Sequence, residues 1–236
     1  MTKNKINLSP SSIQSFFSGG CPAAWNYSRI LEPIAKEKYF EVGTLVHSMM
    51  DGSVDPTTVD DTLALLYYKK LLEIKAERGI SIIKSEIWRV IELNKHINLR
   101  MRIDALALIK TRELVIDWKT SGGGWKTIQT KDHEVSPNAM SFQAASYLIA
   151  DSKDWPKEMA FVVAPIKGAP RMFFYYQNDE DYRNLVEAAE MVYNAVKANT
   201  FPKVRGYACN ECKFQSACYE SPNWKADYKP RVTSSK

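Results

Sequence analysis

Between residues 80 and 121 the chain carries three consecutive runs rich in β-branched and aromatic residues: SIIKSEIWRVIEL, NLRMRIDALALI and ELVIDWKTS. Only short polar turns separate them, at Asn94–Lys95 and Lys110–Arg112. A parallel crossover needs a dozen or more residues, so such turns can join only antiparallel neighbours. The pattern predicts a three-stranded antiparallel meander. Two of these apolar strands carry aspartates, Asp104 and Asp117, and the second carries Lys119 two places on.

Helical patterns surround the meander. SPSSIQSFF begins with a serine–proline start signal and continues with helical apolar spacing. AAWNYSRIL and FEVGTLVHSMM read as further helices. Residues 59–78 form an amphipathic helix with acidic residues at its start and Gly79 as its stop. After the meander come a glycine-rich loop (GGGWKTIQTKDHEV), a helix near 137–151, strands at EMAFVVAPI and RMFFYYQ, and a helix over about 179–198. The expected class is α/β, a mixed central sheet flanked by helices. One domain over 1–222 is expected, with a helical insert at about 50–79 and a flexible basic tail over 223–236.

With 236 residues and 45% hydrophobic content, the chain can bury a proper core. No apolar run is long enough to span a bilayer. The opening MTKNKINLSPSS lacks the apolar stretch of a secretory signal, which makes the cytoplasm the expected compartment. A net charge of +5 is compatible with a nucleic-acid partner, although many metabolic enzymes are equally basic.

Alternation along a strand puts Asp117 and Lys119 on the same face, roughly 7 Å apart. Asp104 lies on the preceding strand, and adjacent strands are about 5 Å apart. In a suitable register both carboxylates converge beside the lysine. At 4 Å and an effective dielectric of 20, two such anions repel by roughly 4 kcal/mol. A hard divalent cation removes the conflict, and carboxylates are its preferred ligands. Such an ion could bind a phosphate oxygen and lower the pKa of a bound water, with Lys119 orienting that water or stabilising transition-state charge. The competing account is two strand-end aspartates paired with Lys119 or an arginine.

Cys21 stands near the start of the chain, and Cys209, Cys212 and Cys218 lie near its end. In a reducing compartment four cysteines argue for metal ligation rather than disulfides. By chemistry alone they suit structural zinc or an iron–sulfur cluster.

Taken together, these residues resemble the RecB-type family of PD-(D/E)xK nucleases. The family pattern is matched by Asp104 and by Asp117-Trp118-Lys119. The upstream G-x-x-x-H element is matched by Gly43 and His47, and the downstream Q-x-x-x-Y element by Gln143 and Tyr147. LSPSSIQSFFSGGCP is similar to the family's N-terminal S-x-S-x-L…C-P signature. The one-plus-three cysteine arrangement resembles the iron–sulfur branch, which includes CRISPR adaptation exonucleases and the AddB nuclease module. The resemblance runs from Ser9 to Cys218 and implies a restriction-endonuclease-like core. It implies Mg²⁺ or Mn²⁺ at His47, Asp104 and Asp117, with Lys119 positioning the attacking water and Gln143 and Tyr147 at the site or the DNA. It further implies a 4Fe–4S cluster, in preference to zinc, at Cys21, Cys209, Cys212 and Cys218.

Two departures bear on the shape of the DNA groove. Family members usually have glycine two residues before the first aspartate, where this chain has Arg102. The loop from Lys119 to the Q-x-x-x-Y helix is also long. Relatives sometimes carry a glutamate near Glu86, whose simpler reading is an exposed strand residue. His96 and His133 match nothing and are read as solvated.

The function so implied is a metal-dependent DNA exonuclease, with single-stranded or frayed DNA as its expected substrate. Trp125, Lys126 and Lys131 of the glycine-rich loop are the expected DNA contacts, through stacking and charge. The Tyr67–Lys70 region is read as helix surface, and Arg205 is a further phosphate candidate. The chain contains no helicase motif, so unwinding requires a partner of helicase or integrase type. The alternatives are a non-catalytic DNA-binding adaptor of the same fold, and a zinc-stapled interaction module that would leave the carboxylates and His47 unexplained.

Overall fold

The computed structural model describes residues 5–18, 21–33, 38–122, 128–129, 134–135, 141–149, 155–176, 178–206, 209–210, 212–222 and 224–230. The meander is present with its turns where the polar residues stand: β3 (Ile80–Asn94), β4 (Ile97–Ile109) and β5 (Arg112–Ser121). Before it come β1 (Ile6–Leu8), α1 (Pro10–Ser18), α2 (Pro22–Ile30), β2 (Leu31–Pro33), α3 (Lys38–Met50) and α4 (Thr62–Glu77). After it come β6 (Ile128–Gln129), β7 (Glu134–Val135), α5 (Ser141–Tyr147), β8 (Glu158–Pro165), β9 (Arg171–Tyr176), α6 (Asp179–Ala198), α7 (Gln215–Cys218) and β10 (Tyr228–Pro230).

Strand β4 organises the main sheet. One edge pairs antiparallel with β3 over nearly its whole length. The other edge is shared: β1 takes 97–99 in parallel and β5 takes 105–109 antiparallel. Between them, residues 100–104 pair with no strand on that edge among the described residues. β5 continues alongside β8 in parallel, and β8 pairs antiparallel with β9. The result is a mixed sheet of the expected α/β class.

Helices cover both faces. On one, Ile13, Trp25, Leu148, Leu185 and Val192 pack against Leu99, Met101, Ile103, Val115 and Phe161. On the other, Val46, Tyr67, Leu71 and Ile74 pack against Ala105, Ile116, Trp118 and Val162. Ile103 belongs to the first core and Ala105 to the second, although alternation would keep them on one face. The break lies at Asp104. Opposite it, between the pairs Ile87–Ile103 and Ser85–Ala105, Glu86 adopts a left-handed φ of 53°. A non-glycine residue there is uncommon and marks a local kink in the ladder.

Several expectations need correction. The stretch read as an insert includes α4, whose Tyr67, Leu71 and Ile74 are core residues; Asp61 caps it by accepting the Leu63 and Ala64 N–H groups at 2.9 Å. Tyr67 is therefore not helix surface, and Lys70 donates to the carbonyls of Pro165, Ile166 and Gly168 at 2.6–3.0 Å. His96 is half-buried and stacks on Tyr193, with centroids 4.9 Å apart. Within the tail, β10 pairs antiparallel with β2 and buries Tyr228. Within the glycine-rich stretch, β6 and β7 pair with each other, whereas Trp125, Lys126, Lys131 and His133 lie outside the described residues. Residues 137–140, 150 and 151 of the helix expected over 137–151 are also outside them.

Candidate active site

The last paired position of β4 and β5 is Ala105–Ile116. One step further, Asp104 stands opposite Asp117 just as the strands part. Parting frees a backbone donor, and the Trp118 N–H is taken by Asp104 Oδ2 at 2.8 Å. Both carboxylates are withdrawn from solvent, Asp117 to 1% exposure and Asp104 to 8%. Burial of a carboxylate favours its neutral form unless cations or donors compensate.

The compensation is incomplete. Asp117 Oδ1 accepts the Gln143 side-chain N–H at 2.9 Å. Asp117 Oδ2 makes an ion-pair contact with Lys119 Nζ at 2.5 Å but lacks a hydrogen bond of good angle. Burial, with Asp104 adding to it against the pull of Lys119, pushes Asp117 up to about 6. A buried carboxylate whose oxygen already faces a cation suits a cation ligand.

Each remaining candidate reaches this point from its own element. His47, one turn after Gly43 on α3, brings Nδ1 to 3.3 Å from Asp104 Oδ2. Burial pulls its pKa down, but the hydrogen bond and charge of Asp104 outweigh it, and the imidazole is raised overall. A Cβ at Gly43 would meet Thr120 Oγ1 at 3.5 Å, an ordinary contact, so the space there would accept alanine. On α5, Gln143 and Tyr147 share a face as their spacing requires. Gln143 Nε2 also donates to the Tyr147 hydroxyl at 2.8 Å, and that hydroxyl donates to the Arg102 carbonyl at 3.1 Å. Burial and the two carboxylates push Tyr147 up, so it stays a neutral donor.

The structure thus brings together His47, Asp104, Asp117, Lys119, Gln143 and Tyr147. They pair with one another: Lys119 lies on Asp117 and His47 on Asp104. Among the described residues, no three His, Cys, Asp or Glu side chains stand in an arrangement that could hold a metal ion. The donor set is hard and anionic, as a divalent ion requires.

A family model for the PD-(D/E)XK nuclease superfamily matches residues 7–219. The chain belongs to that superfamily. PD-(D/E)XK nucleases generally use Mg²⁺ or a similar divalent metal. No curated protein matches the chain. Among solved structures, it resembles a candidate exonuclease from Eubacterium rectale, with a TM-score of 0.58 and 14% identity over 91% of this chain and 88% of that one. It also aligns with the crystal structure of SSO0001, with a TM-score of 0.49 and 16% identity over 92% and 87% of the two chains. At such identities the likeness extends to fold alone.

Two site residues carry a different meaning from their sequence reading. Glu86, read as an exposed strand glutamate, is half-buried and pairs with Arg102 Nε at 2.8 Å. Burial raises its pKa, Arg102 opposes, and the Asp104 and Asp51 carboxylates add to the rise. Arg102, standing where relatives usually have glycine, holds Glu86 with its side chain and Tyr147 with its carbonyl. Arg89 carries no signal in the sequence. It is buried, donates to the Tyr147 carbonyl at 3.4 Å and the Ile149 carbonyl at 2.9 Å, and lies 3.9 Å from the Trp155 ring centroid. Its position at the C-terminal end of α5 fixes the helix that presents Gln143 and Tyr147.

The four cysteines are free thiols, all half-buried. Cys21 precedes α2, and Phe214, Ala217 and Tyr228 pack with Tyr27 and Leu31 to join the two chain ends. Burial raises the Cys218 thiol, Lys203 opposes, and Cys21, Cys212 and Cys209 add to the rise, so the four share one neighbourhood. Arg205, the other phosphate candidate, is exposed and lies 5.5 Å from the Tyr219 ring centroid.

Proposed function

We propose that this PD-(D/E)XK nuclease is a metal-dependent DNA exonuclease of the RecB type, preferring single-stranded or frayed ends. The observation that carries the reading is the meeting of Asp104 and Asp117 where β4 and β5 part, with Lys119 on the same spot. Asp104, Asp117 and His47, which pair with Lys119, the Trp118 N–H and one another rather than surrounding a common point, would have to turn toward a shared ion to hold Mg²⁺ or Mn²⁺, which supplies charge neutralisation and an acidified water when bound.

The chain's own groups then have distinct tasks. Lys119, paired with Asp117 Oδ2 in this structure, would orient the attacking water and meet negative charge on the phosphate. Gln143 holds the Asp117 carboxylate in place from α5. Tyr147 ties that helix to β4 through the Arg102 carbonyl. The Trp118 N–H keeps Asp104 turned toward the site.

The cysteines support a structural 4Fe–4S cluster, as in the iron–sulfur branch that the motif order resembles. Cys21, Cys209 and Cys212 all act on the Cys218 thiol, although among the described residues no three of these cysteines stand as ligands of one metal; a cluster there would lock α2 to the C-terminal segment. The function is tested by digesting end-labelled single- and double-stranded DNA with Mg²⁺ and with Mn²⁺. Progressive release of nucleotides from an end, faster on single strands and abolished by chelator, is the expected result. Uncut DNA under every condition would contradict it.

A further inference from the structure

Beside the active site, the edge of β4 at residues 100–104, which pairs with no strand among the described residues, borders a groove of about 570 Å³. Its lining includes Gln143, which donates to Asp117 Oδ1, and Tyr147, together with Arg100, Arg102, Trp88 and Arg29. Trp88 pairs with Arg102 across β3 and β4, and Val90 with Arg100, so these four side chains share the outer face of the ladder. The Arg100 and Arg102 guanidiniums lie 5.0 and 6.0 Å from the Trp88 ring centroid. An indole flanked in this way is held in place by cation–π attraction. It is nevertheless 59% exposed, an unusual state for the largest apolar side chain. Arg29, also lining the groove, lies 4.9 Å from the Trp25 ring centroid.

Aromatic surface interleaved with guanidinium groups is the chemistry that holds unpaired nucleotides: rings stack bases and arginines meet phosphates. In a duplex the bases are stacked on one another and their faces are closed to an indole. We infer that this groove binds the single strand adjoining the scissile phosphate, with Trp88 stacking one base and Arg100 and Arg29 contacting its backbone. Arg102, committed to Glu86, fixes the platform rather than the strand. The inference rests on the nuclease reading for where the strand continues, and it places strand-holding on β3 and β4 rather than on the glycine-rich loop.

The test is the binding of a fluorescein-labelled dT12 oligonucleotide, and of a blunt 12-base-pair duplex, by anisotropy in EDTA so that nothing is cut. The whole chain is used, with circular dichroism confirming that each variant is folded. Trp88→Ala should weaken dT12 binding at least about fivefold, the low end for stacking of one base, and leave duplex binding within about twofold. Arg100→Ala should weaken dT12 binding and lower its salt slope by about 0.7, one phosphate contact on a single strand. Folded Trp88→Ala and Arg100→Ala proteins that bind dT12 as wild type does would overturn the groove, even if the enzyme cuts DNA. A wild type that binds through Trp88 yet never cuts would overturn the nuclease reading and leave the groove standing.

Discussion

Asp104 Oδ2 accepts the backbone N–H of Trp118 at 2.8 Å, replacing by a side chain the ladder that ends one residue earlier at Ala105–Ile116. The carboxylate therefore has two tasks that substitution can separate. It satisfies a buried donor, and it supplies one of the two charges at the point where the strands divide.

Asp104→Asn keeps an acceptor for Trp118 and removes the charge. This variant should melt close to wild type and lose nuclease activity. Asp104→Ala removes both and should also lose about 1–3 kcal/mol of stability, the cost of leaving a buried N–H unpaired. Urea unfolding of the two variants side by side reads the difference; equal stabilities would show that the Trp118 contact does not matter.

Asp117 makes a pH signature. Its carboxyl, pushed up to about 6 mainly by burial, holds a proton more tightly folded than unfolded, where its value is ordinary. The penalty is absent below about pH 4, builds between 4 and 6, and is complete above 6. Asp117→Asn should therefore be more stable than wild type above pH 6, by up to about 3 kcal/mol in the metal-free protein. That advantage should vanish below pH 4. Added Mg²⁺ should stabilise wild type above pH 6 and leave the variant unmoved. Melting curves across this range, with and without Mg²⁺, decide it.

Much of the fold was legible because long elements repeat their signal. The meander's turns lie at the polar residues, and α6 has the expected bounds because Asn178 caps it and Asn199 ends it in a left-handed conformation. β1, β2 and β10 are three residues each, too short to show alternation. β1 and β10 also find their partners far along the chain, which no local pattern reveals. At the site, the chemistry-bearing types Asp104, Asp117, Lys119 and His47 stand out in an apolar context. Glu86, Arg89 and Arg102 do not, because their roles arise from a backbone kink, a helix end and a strand edge met by α5, which exist only in three dimensions.

Arg89 gives the clearest example. Arg89→Met retains apolar bulk against Trp155 but abandons the Tyr147 and Ile149 carbonyls. A loss of about 1.5–3 kcal/mol is expected, the range for hydrogen bonds from a charged donor. Because α5 carries Gln143, turnover should fall with little change in KM. A variant with wild-type stability and kinetics would remove Arg89 from the positioning of α5.

The cysteine cluster makes its own prediction. Protein purified without oxygen should be brown and contain four iron atoms per chain, and Cys218→Ser should be pale and less stable. Colourless protein with one bound zinc would reject the iron–sulfur assignment.

The central claim is that a buried carboxylate pair and the ammonium beside it form a phosphodiesterase centre. Its most direct measurement is single-turnover digestion of 5′-labelled single-stranded DNA in Mg²⁺ by wild type and by Lys119→Ala, with folding checked by circular dichroism. Cleavage by wild type, and a rate at least a hundredfold lower in a folded Lys119→Ala, of the order expected for loss of one group that stabilises developing charge, is the predicted result. Undiminished cleavage by the folded variant would contradict the account.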